Sequence, residues 1–123
     1  MVDQIEVSVS TLGEILSGKM LESPFLKVDT EGYEYNVISG VLPDHGLSFD
    51  YIVFEYSGRS LKMAGVEPTR LLGLDMLSQY LFCLIHQDGS VTRREVKDIS
   101  AIKSDYFLLV KEDKVAGLEF LPP

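Results

Sequence analysis

The chain has 123 residues, of which 46% are hydrophobic, and its formal net charge is −8 at pH 7. This length allows one domain, residues 1–123, and the hydrophobic share is that of a packed globular protein. The basic residues are scattered, and only Arg93 and Arg94 adjoin, so the composition argues against nucleic acid as a partner.

Cellular location is indicated by the single cysteine and by the lack of long apolar runs. Cys83 has no partner for an internal disulfide, and it lies in an apolar run where we expect a small buried side chain. No apolar run approaches the roughly 20 residues that cross a bilayer, and the N-terminus lacks the features of a secretion signal. We therefore predict a cytoplasmic protein with no membrane partner.

The first predicted elements alternate between strand and helix. Residues 5–9 alternate apolar and polar side chains, as a half-exposed strand does. Ser10 or Thr11 is then placed to cap a short helix, Leu12 to Leu16. Residues 25–28 follow Pro24 and form a second, mostly apolar strand.

Later elements continue this alternation and end in two strands without a helix between them. They are a helix at 33–41, a strand at 49–55, a loop leading to Pro68, a helix at 69–79, and strands at 81–86 and 106–110. Residues 87–90 are typical of a hairpin turn, and residues 91–102 are expected to be mostly loop. This order predicts an α/β fold with a mostly parallel sheet and one antiparallel closing strand.

The most informative residues lie between the strand at 25–28 and the next helix. Asp29 and Glu31 follow the carboxyl end of a strand, where open parallel sheets bind ligands. Gly32 lets the backbone turn sharply or come close to a ligand. A purely structural interpretation stays open, because Glu31 and Glu34 also lie near a helix N-terminus, where the macrodipole favours negative charge.

Residues 27–34, Lys-Val-Asp-Thr-Glu-Gly-Tyr-Glu, with Gly40 six residues later, resemble the signature of FkbM-type methyltransferases. Residues 9–16 resemble another segment of that family, although Gly13 stands where the family usually has aspartate. Residues 51–55, ending in Glu55, and residues 105–110 resemble two further strands. On these segments the chain is identified as similar to the C-terminal half of such a domain.

The resemblance implies a Rossmann-like methyltransferase sheet that lacks its first two strands. It implies S-adenosylmethionine as the cofactor and methyl transfer to a hydroxyl oxygen of a small molecule or glycan. Asp29, Glu31 and Glu55 are the predicted catalytic residues, and Asp29 and Gly32 are predicted to contact the cofactor. For Asp29, orienting the acceptor, binding a metal and acting as general base all remain open; no dedicated metal site is predicted.

One feature of the family pattern is missing. The chain contains no two glycines spaced as in the Gly-x-Gly turn that holds such cofactors. We therefore expect the chain alone to bind S-adenosylmethionine weakly or not at all and to be inactive, with a homo-oligomer or a partner chain supplying the missing half. The alternative function is a non-catalytic remnant or interaction module; a regulator that binds metal or phosphate through Asp29, Glu31 and Glu34 has little support. His45 and His86 have no partner at metal-ligand spacing.

Overall fold

A computed structural model of the chain describes residues 3–41, 49–99, 102 and 104–117. The strands are β1 (Phe25–Val28), β2 (Tyr51–Ser57), β3 (Tyr80–Ile85), β4 (Val91–Arg94) and β5 (Ser104–Lys111). The α-helices are α1 (Leu12–Leu16), α2 (Glu34–Ser39), α3 (Gly58–Met63), α4 (Pro68–Leu72) and α5 (Val96–Ile99). Two 3₁₀ helices cover Asp75–Gln79 and Glu112–Gly117.

Among the described residues, the five strands form one sheet in the order β1-β2-β5-β3-β4. The α/β class is confirmed, and so is the parallel pairing of the first two strands, β1 and β2. The expectation of a mostly parallel sheet is wrong, because β2–β5, β5–β3 and β3–β4 are all antiparallel neighbours. The reason is that β5 enters the sheet between β2 and β3 and separates two strands that run the same way.

Several predicted elements need correction. Residues 5–9 form no strand, and no described strand lies beside them to supply hydrogen-bond partners. A helix, α3, occupies part of the expected loop before Pro68, and β4 occupies part of the expected loop at 91–102. The single helix expected at 69–79 is instead α4 followed by a 3₁₀ helix, with Gly73 between them.

The core lies between one face of the sheet and the helices α2, α3 and α4. In β2, alternate residues are buried, as expected for a strand with one covered face. Helix residues Ile38, Leu61 and Leu71 belong to the same apolar cluster as Ile52 and Phe54 of β2. This packing fixes the ends of β1 and β2 relative to the loops that follow them.

Two local features match their sequence patterns closely. Thr11 caps α1 by accepting a hydrogen bond from the Glu14 N–H, and the Glu14 carboxylate returns to the Thr11 N–H, which completes a capping box. Cys83 is fully buried in β3, as expected of a small apolar side chain, and burial raises the pKa of its thiol to about 11.

No helix in the described ranges has both the length and the apolar character needed to cross a membrane.

Candidate functional site

The register of β1 and β2 brings two of the predicted site residues to one end of the sheet. The strands are parallel and Val28 lies opposite Phe54, so Asp29 and Glu55 each follow a paired residue at the same edge. Parallel strands place their carboxyl ends together, and the loops beyond those ends form the ligand-binding crevice of open α/β sheets. The local environment of the two carboxylates therefore follows from strand pairing.

The loop between β1 and α2 has an unusual backbone. Glu31 has a φ of +53°, which is uncommon for a residue with a side chain, and Gly32 has a φ of +108°. A Cβ at Gly32 would stand 2.4 Å from the carbonyl oxygen of Ser60 in α3. Glycine is required here for the sharp turn and for close packing against α3; its contact with a cofactor stays a prediction.

Glu34 holds this loop from within. Its side chain is only 3% exposed, and its two carboxylate oxygens accept hydrogen bonds from the N–H groups of Thr30 (3.2 Å) and Gly32 (3.0 Å). Hydrogen bonds to a charged acceptor are among the stronger ones in proteins. Glu34 therefore takes the structural role considered for the acidic residues at this helix start, while Glu31 remains exposed at the surface.

The three predicted catalytic carboxylates converge. Asp29, Glu31 and Glu55 each have a carboxylate oxygen within 4.8 Å of the others, with Asp29 and Glu31 exposed and Glu55 half-buried. Three like charges at this separation repel one another, so the cluster favours a cation or a proton-donating group between them. Its oxygen ligands are of the kind that hard divalent cations prefer, although exposed acidic groups are common without one.

Two residues of β5 complete the surroundings of Glu55. The Ser104 hydroxyl donates a hydrogen bond to Glu55 Oε1 at 3.3 Å. Tyr106 lies opposite Glu55 in the strand pair, and the charges of Glu55, Asp29 and Glu31 raise the pKa of its phenol. Neither residue is predicted from the sequence, because both reach Glu55 only through the position of β5 beside β2 in the sheet.

Other candidate residues lie elsewhere. His86 Nε2 is hydrogen-bonded to Thr92 Oγ1 at 2.9 Å across the β3–β4 hairpin, and it is not part of the acidic cluster. His45 lies outside the described residues. A separate groove of about 320 Å³ is lined mainly by apolar side chains, among them Leu72, Leu77 and Phe82, and by none of the three carboxylates.

A parallel strand pair with carboxylates at its carboxyl ends and a tight Glu-Gly turn into a helix defines an α/β domain whose ligand site lies at the strand ends. Comparison with protein families makes this specific: the model of the methyltransferase FkbM domain matches residues 2–81, well over half of the 123 residues. The chain therefore belongs to the FkbM methyltransferase domain family. The matched range includes Asp29, Glu31 and Glu55 but ends before β5. No curated protein and no solved structure matches the chain.

Proposed function

We propose that this domain serves an S-adenosylmethionine-dependent O-methyltransferase, with Asp29, Glu31 and Glu55 facing the site of methyl transfer. Membership of the FkbM family supports methyl transfer as the chemistry. The acceptor in this proposal is a hydroxyl group of a small molecule or glycan. The observation that carries the proposal is the convergence of the three carboxylates at the carboxyl ends of β1 and β2.

The donor set fits the charged end of the cofactor. When bound, S-adenosylmethionine supplies a methyl group already activated by a positively charged sulfonium. Asp29 and Glu31 are exposed carboxylates that would attract that charge and orient it above the strand ends. Asp29 and Gly32 are the proposed contacts to the cofactor. The N–H groups of Thr30 and Gly32 are already bonded to Glu34, so the adenosine end would need donors from elsewhere.

Glu55 is the residue best placed to take the proton of an acceptor hydroxyl. The Ser104 hydroxyl donates a hydrogen bond to Glu55 Oε1, and an ionised carboxylate has a second oxygen and further lone pairs to accept an O–H donor from the cleft side. Methyl transfer to a hydroxyl requires only alignment of the reactants and a carboxylate within hydrogen-bond reach to accept the proton. The charges of Glu55 and Asp29 raise the pKa of the Tyr106 phenol, which would donate a hydrogen bond to the acceptor or to the carboxylates.

The experiment is a titration of the isotopically labelled chain with S-adenosylmethionine and, separately, with S-adenosylhomocysteine, followed by amide chemical shifts. The two compounds differ by the methyl group and the positive charge. We expect the amides of residues 29–32 and 55–58 to shift at lower concentrations of the charged compound, because the carboxylates attract the sulfonium. Glu55→Gln and Asp29→Asn should each reduce the difference between the two compounds.

The control is Glu67→Gln, which removes one exposed carboxylate at a position that forms no side-chain cap on α4. It should leave the preference for the charged compound unchanged. If the shifts appear at the groove near Leu77, or if both compounds perturb the loop equally, the proposed role of the carboxylates is wrong.

A second candidate function is a non-catalytic interaction module of the same family. It is favoured by the absence of a Gly-x-Gly turn from the sequence and by the loop amides that Glu34 already occupies. In this case neither compound would shift residues 29–32, even at millimolar concentration. For the catalytic function, we propose that a partner chain or a second copy supplies the missing amide donors.

A further inference from the structure

Tyr106 lies directly across from Glu55 in the sheet. The two residues are cross-strand partners in the antiparallel pair of β2 and β5, so their side chains lie on the same face. Phe107, the next residue of β5, is fully buried in the core on the opposite face, whereas Tyr106 is 42% exposed. The tyrosine ring is therefore part of the surface beside the acidic cluster, and it belongs to a strand that the FkbM family model does not reach.

The ring of Tyr106 is not covered by another ring or by a basic side chain of the described residues. The ring pairs and the cation–ring contact found among those residues involve other aromatic side chains: Phe25, Tyr35, Tyr51, Phe54, Tyr56 and Phe107. An exposed aromatic face attracts a cation, because the ring carries negative charge density above and below its plane.

The carboxylates beside this ring also lack a basic partner within the described part of the chain. The ion pairs found there, Lys97–Glu95 and Lys114–Asp50, include none of the three. The charges of all three carboxylates raise the pKa of the Tyr106 phenol, so its side chain lies within their electrostatic reach. A cation bound here would therefore be attracted by the carboxylates and by the ring together.

The presence of a ring favours a methylated onium ion over a metal ion. Hard metal ions are bound by oxygen atoms, and an aromatic wall contributes nothing to that coordination. The methyl groups of a sulfonium or a quaternary ammonium ion are apolar and share the positive charge. They pack against an aromatic face while the carboxylates neutralise the charge.

We propose that Tyr106 is a specificity-determining residue whose ring forms one wall of a subsite for a methylated onium group. In the proposed function, on which this inference rests, that group is the sulfonium of S-adenosylmethionine. The ring then favours the charged cofactor over S-adenosylhomocysteine, whose sulfur is neutral. A quaternary ammonium group on an acceptor has the same chemistry, and the experiment separates the two sources.

The experiment is a nuclear magnetic resonance titration of the full chain with tetramethylammonium, S-adenosylmethionine and S-adenosylhomocysteine, at an ionic strength held constant with sodium chloride. Wild type is compared with Tyr106→Leu, which removes the ring, and with Tyr106→Phe, which keeps the ring and removes the hydroxyl. The control is Phe25→Leu. Phe25 is an exposed ring, 59% accessible, at the other end of β1, opposite Tyr51.

We expect Tyr106→Leu to weaken the binding of tetramethylammonium about two- to fivefold and to lower the preference for S-adenosylmethionine over S-adenosylhomocysteine by a similar factor. Tyr106→Phe and Phe25→Leu should behave as wild type does. The ring current should move the methyl protons of bound tetramethylammonium upfield in wild type and in Tyr106→Phe. A wild type without this upfield shift, a Tyr106→Leu variant that binds every compound as wild type does, or equal losses in Tyr106→Leu and Tyr106→Phe overturns the proposal.

The subsite and the methyltransferase function fail through different results. If wild type prefers S-adenosylmethionine and Tyr106→Leu retains both this preference and the affinity for tetramethylammonium, the subsite is wrong and the proposed function stands. If the ring change weakens tetramethylammonium while S-adenosylmethionine and S-adenosylhomocysteine perturb residues 29–32 equally in wild type, the subsite stands, its ligand is an ammonium group, and the proposed cofactor site is wrong.

Discussion

Gly32 has no room for a side chain. Its φ is +108°, and a Cβ at this position would lie 2.4 Å from the Ser60 carbonyl oxygen. We predict that Gly32→Ala lowers the free energy of unfolding by about 2–4 kcal/mol, because backbone strain and a backbone clash add. Urea denaturation followed by circular dichroism measures this loss.

The matched control is Gly65→Ala. Gly65 also has a positive φ, +81°, but no atom lies within 4 Å of its Cβ position. Its substitution should therefore cost only the conformational penalty, about 1 kcal/mol. Equal losses for the two variants would show that the packing of Gly32 against α3 contributes nothing.

The buried Cys83 thiol gives stability a dependence on alkaline pH. Burial raises its pKa from 9.0 to about 11, although Arg93 opposes the shift. Between these values the unfolded chain releases the proton and the folded chain retains it, so stability is fully present below pH 9 and falls as pH rises towards 11. The expected loss is on the order of 2 kcal/mol.

The measurement compares the free energy of unfolding of wild type and Cys83→Ala between pH 8 and pH 11. The variant should be less stable throughout, because it leaves a cavity, but its stability should fall less steeply. Tyr56, whose pKa is also raised by burial, is present in both proteins and cancels in the difference. Parallel curves for the two proteins would contradict the prediction.

Most residues of the candidate site could be predicted from the sequence, because their positions at strand ends are visible in the local sequence pattern. Asp29 directly follows one strand that the sequence pattern predicts and Glu55 ends another, and parallel neighbours bring such positions together. Ser104 and Tyr106 could not be selected, because they reach Glu55 only through the insertion of β5 beside β2. The hydrogen bonds of Glu34 could not be predicted from the sequence either, because they depend on a loop with two positive φ angles.

Among the secondary-structure elements, α3 links the end of β2 to the loop of the site. The Ser57 hydroxyl accepts a hydrogen bond from the Ser60 N–H and so caps this helix, and Ser60 in turn packs against Gly32. We predict that Ser57→Ala costs about 1 kcal/mol of stability and speeds amide exchange at Gly32. Hydrogen exchange with mass spectrometry measures both effects.

Ser78→Ala is the comparison for that experiment. The Ser78 hydroxyl donates to the Asp75 carbonyl oxygen at an exposed position, so its loss should change stability by less than about 0.5 kcal/mol. Gly32 exchange should remain as in wild type. Faster exchange in the Ser78 variant as well would mean that the loop responds to general destabilisation and not to the α3 cap.

Elements were predicted well where the chain carries its own boundary signals. β1 has the expected limits, since Pro24 precedes it and a polar turn follows. α3 was missed because it begins at a glycine and buries a single leucine, Leu61. β4 was missed because its residues are mostly polar, and it is a strand only through its pairing with β3.

For the whole molecule, we predict weak affinity for S-adenosylmethionine. The sequence offers no Gly-x-Gly turn, and two loop amides are already bonded to Glu34. Each missing charge-assisted contact costs about 1.5–3 kcal/mol, so two of them weaken binding by factors of hundreds. The remaining attraction comes from exposed carboxylates, where such contributions are small.

Isothermal titration calorimetry measures this affinity. We expect a dissociation constant of about hundreds of micromolar or weaker, and further weakening at high salt because the remaining attraction is electrostatic. Binding in the low micromolar range, with no dependence on salt, would mean that the cofactor contacts lie elsewhere in the chain.

The position of β5 has a consequence for how the molecule is made. It is the last of the described strands in chain order, yet it lies in the middle of the sheet and joins β2 to β3. During synthesis, β2 and the β3–β4 hairpin leave the ribosome as separate pieces that have no common neighbour until residues 104–111 follow. The sheet is therefore completed only after residues 104–111 have been synthesised, and until then the nascent chain exposes unpaired strand edges.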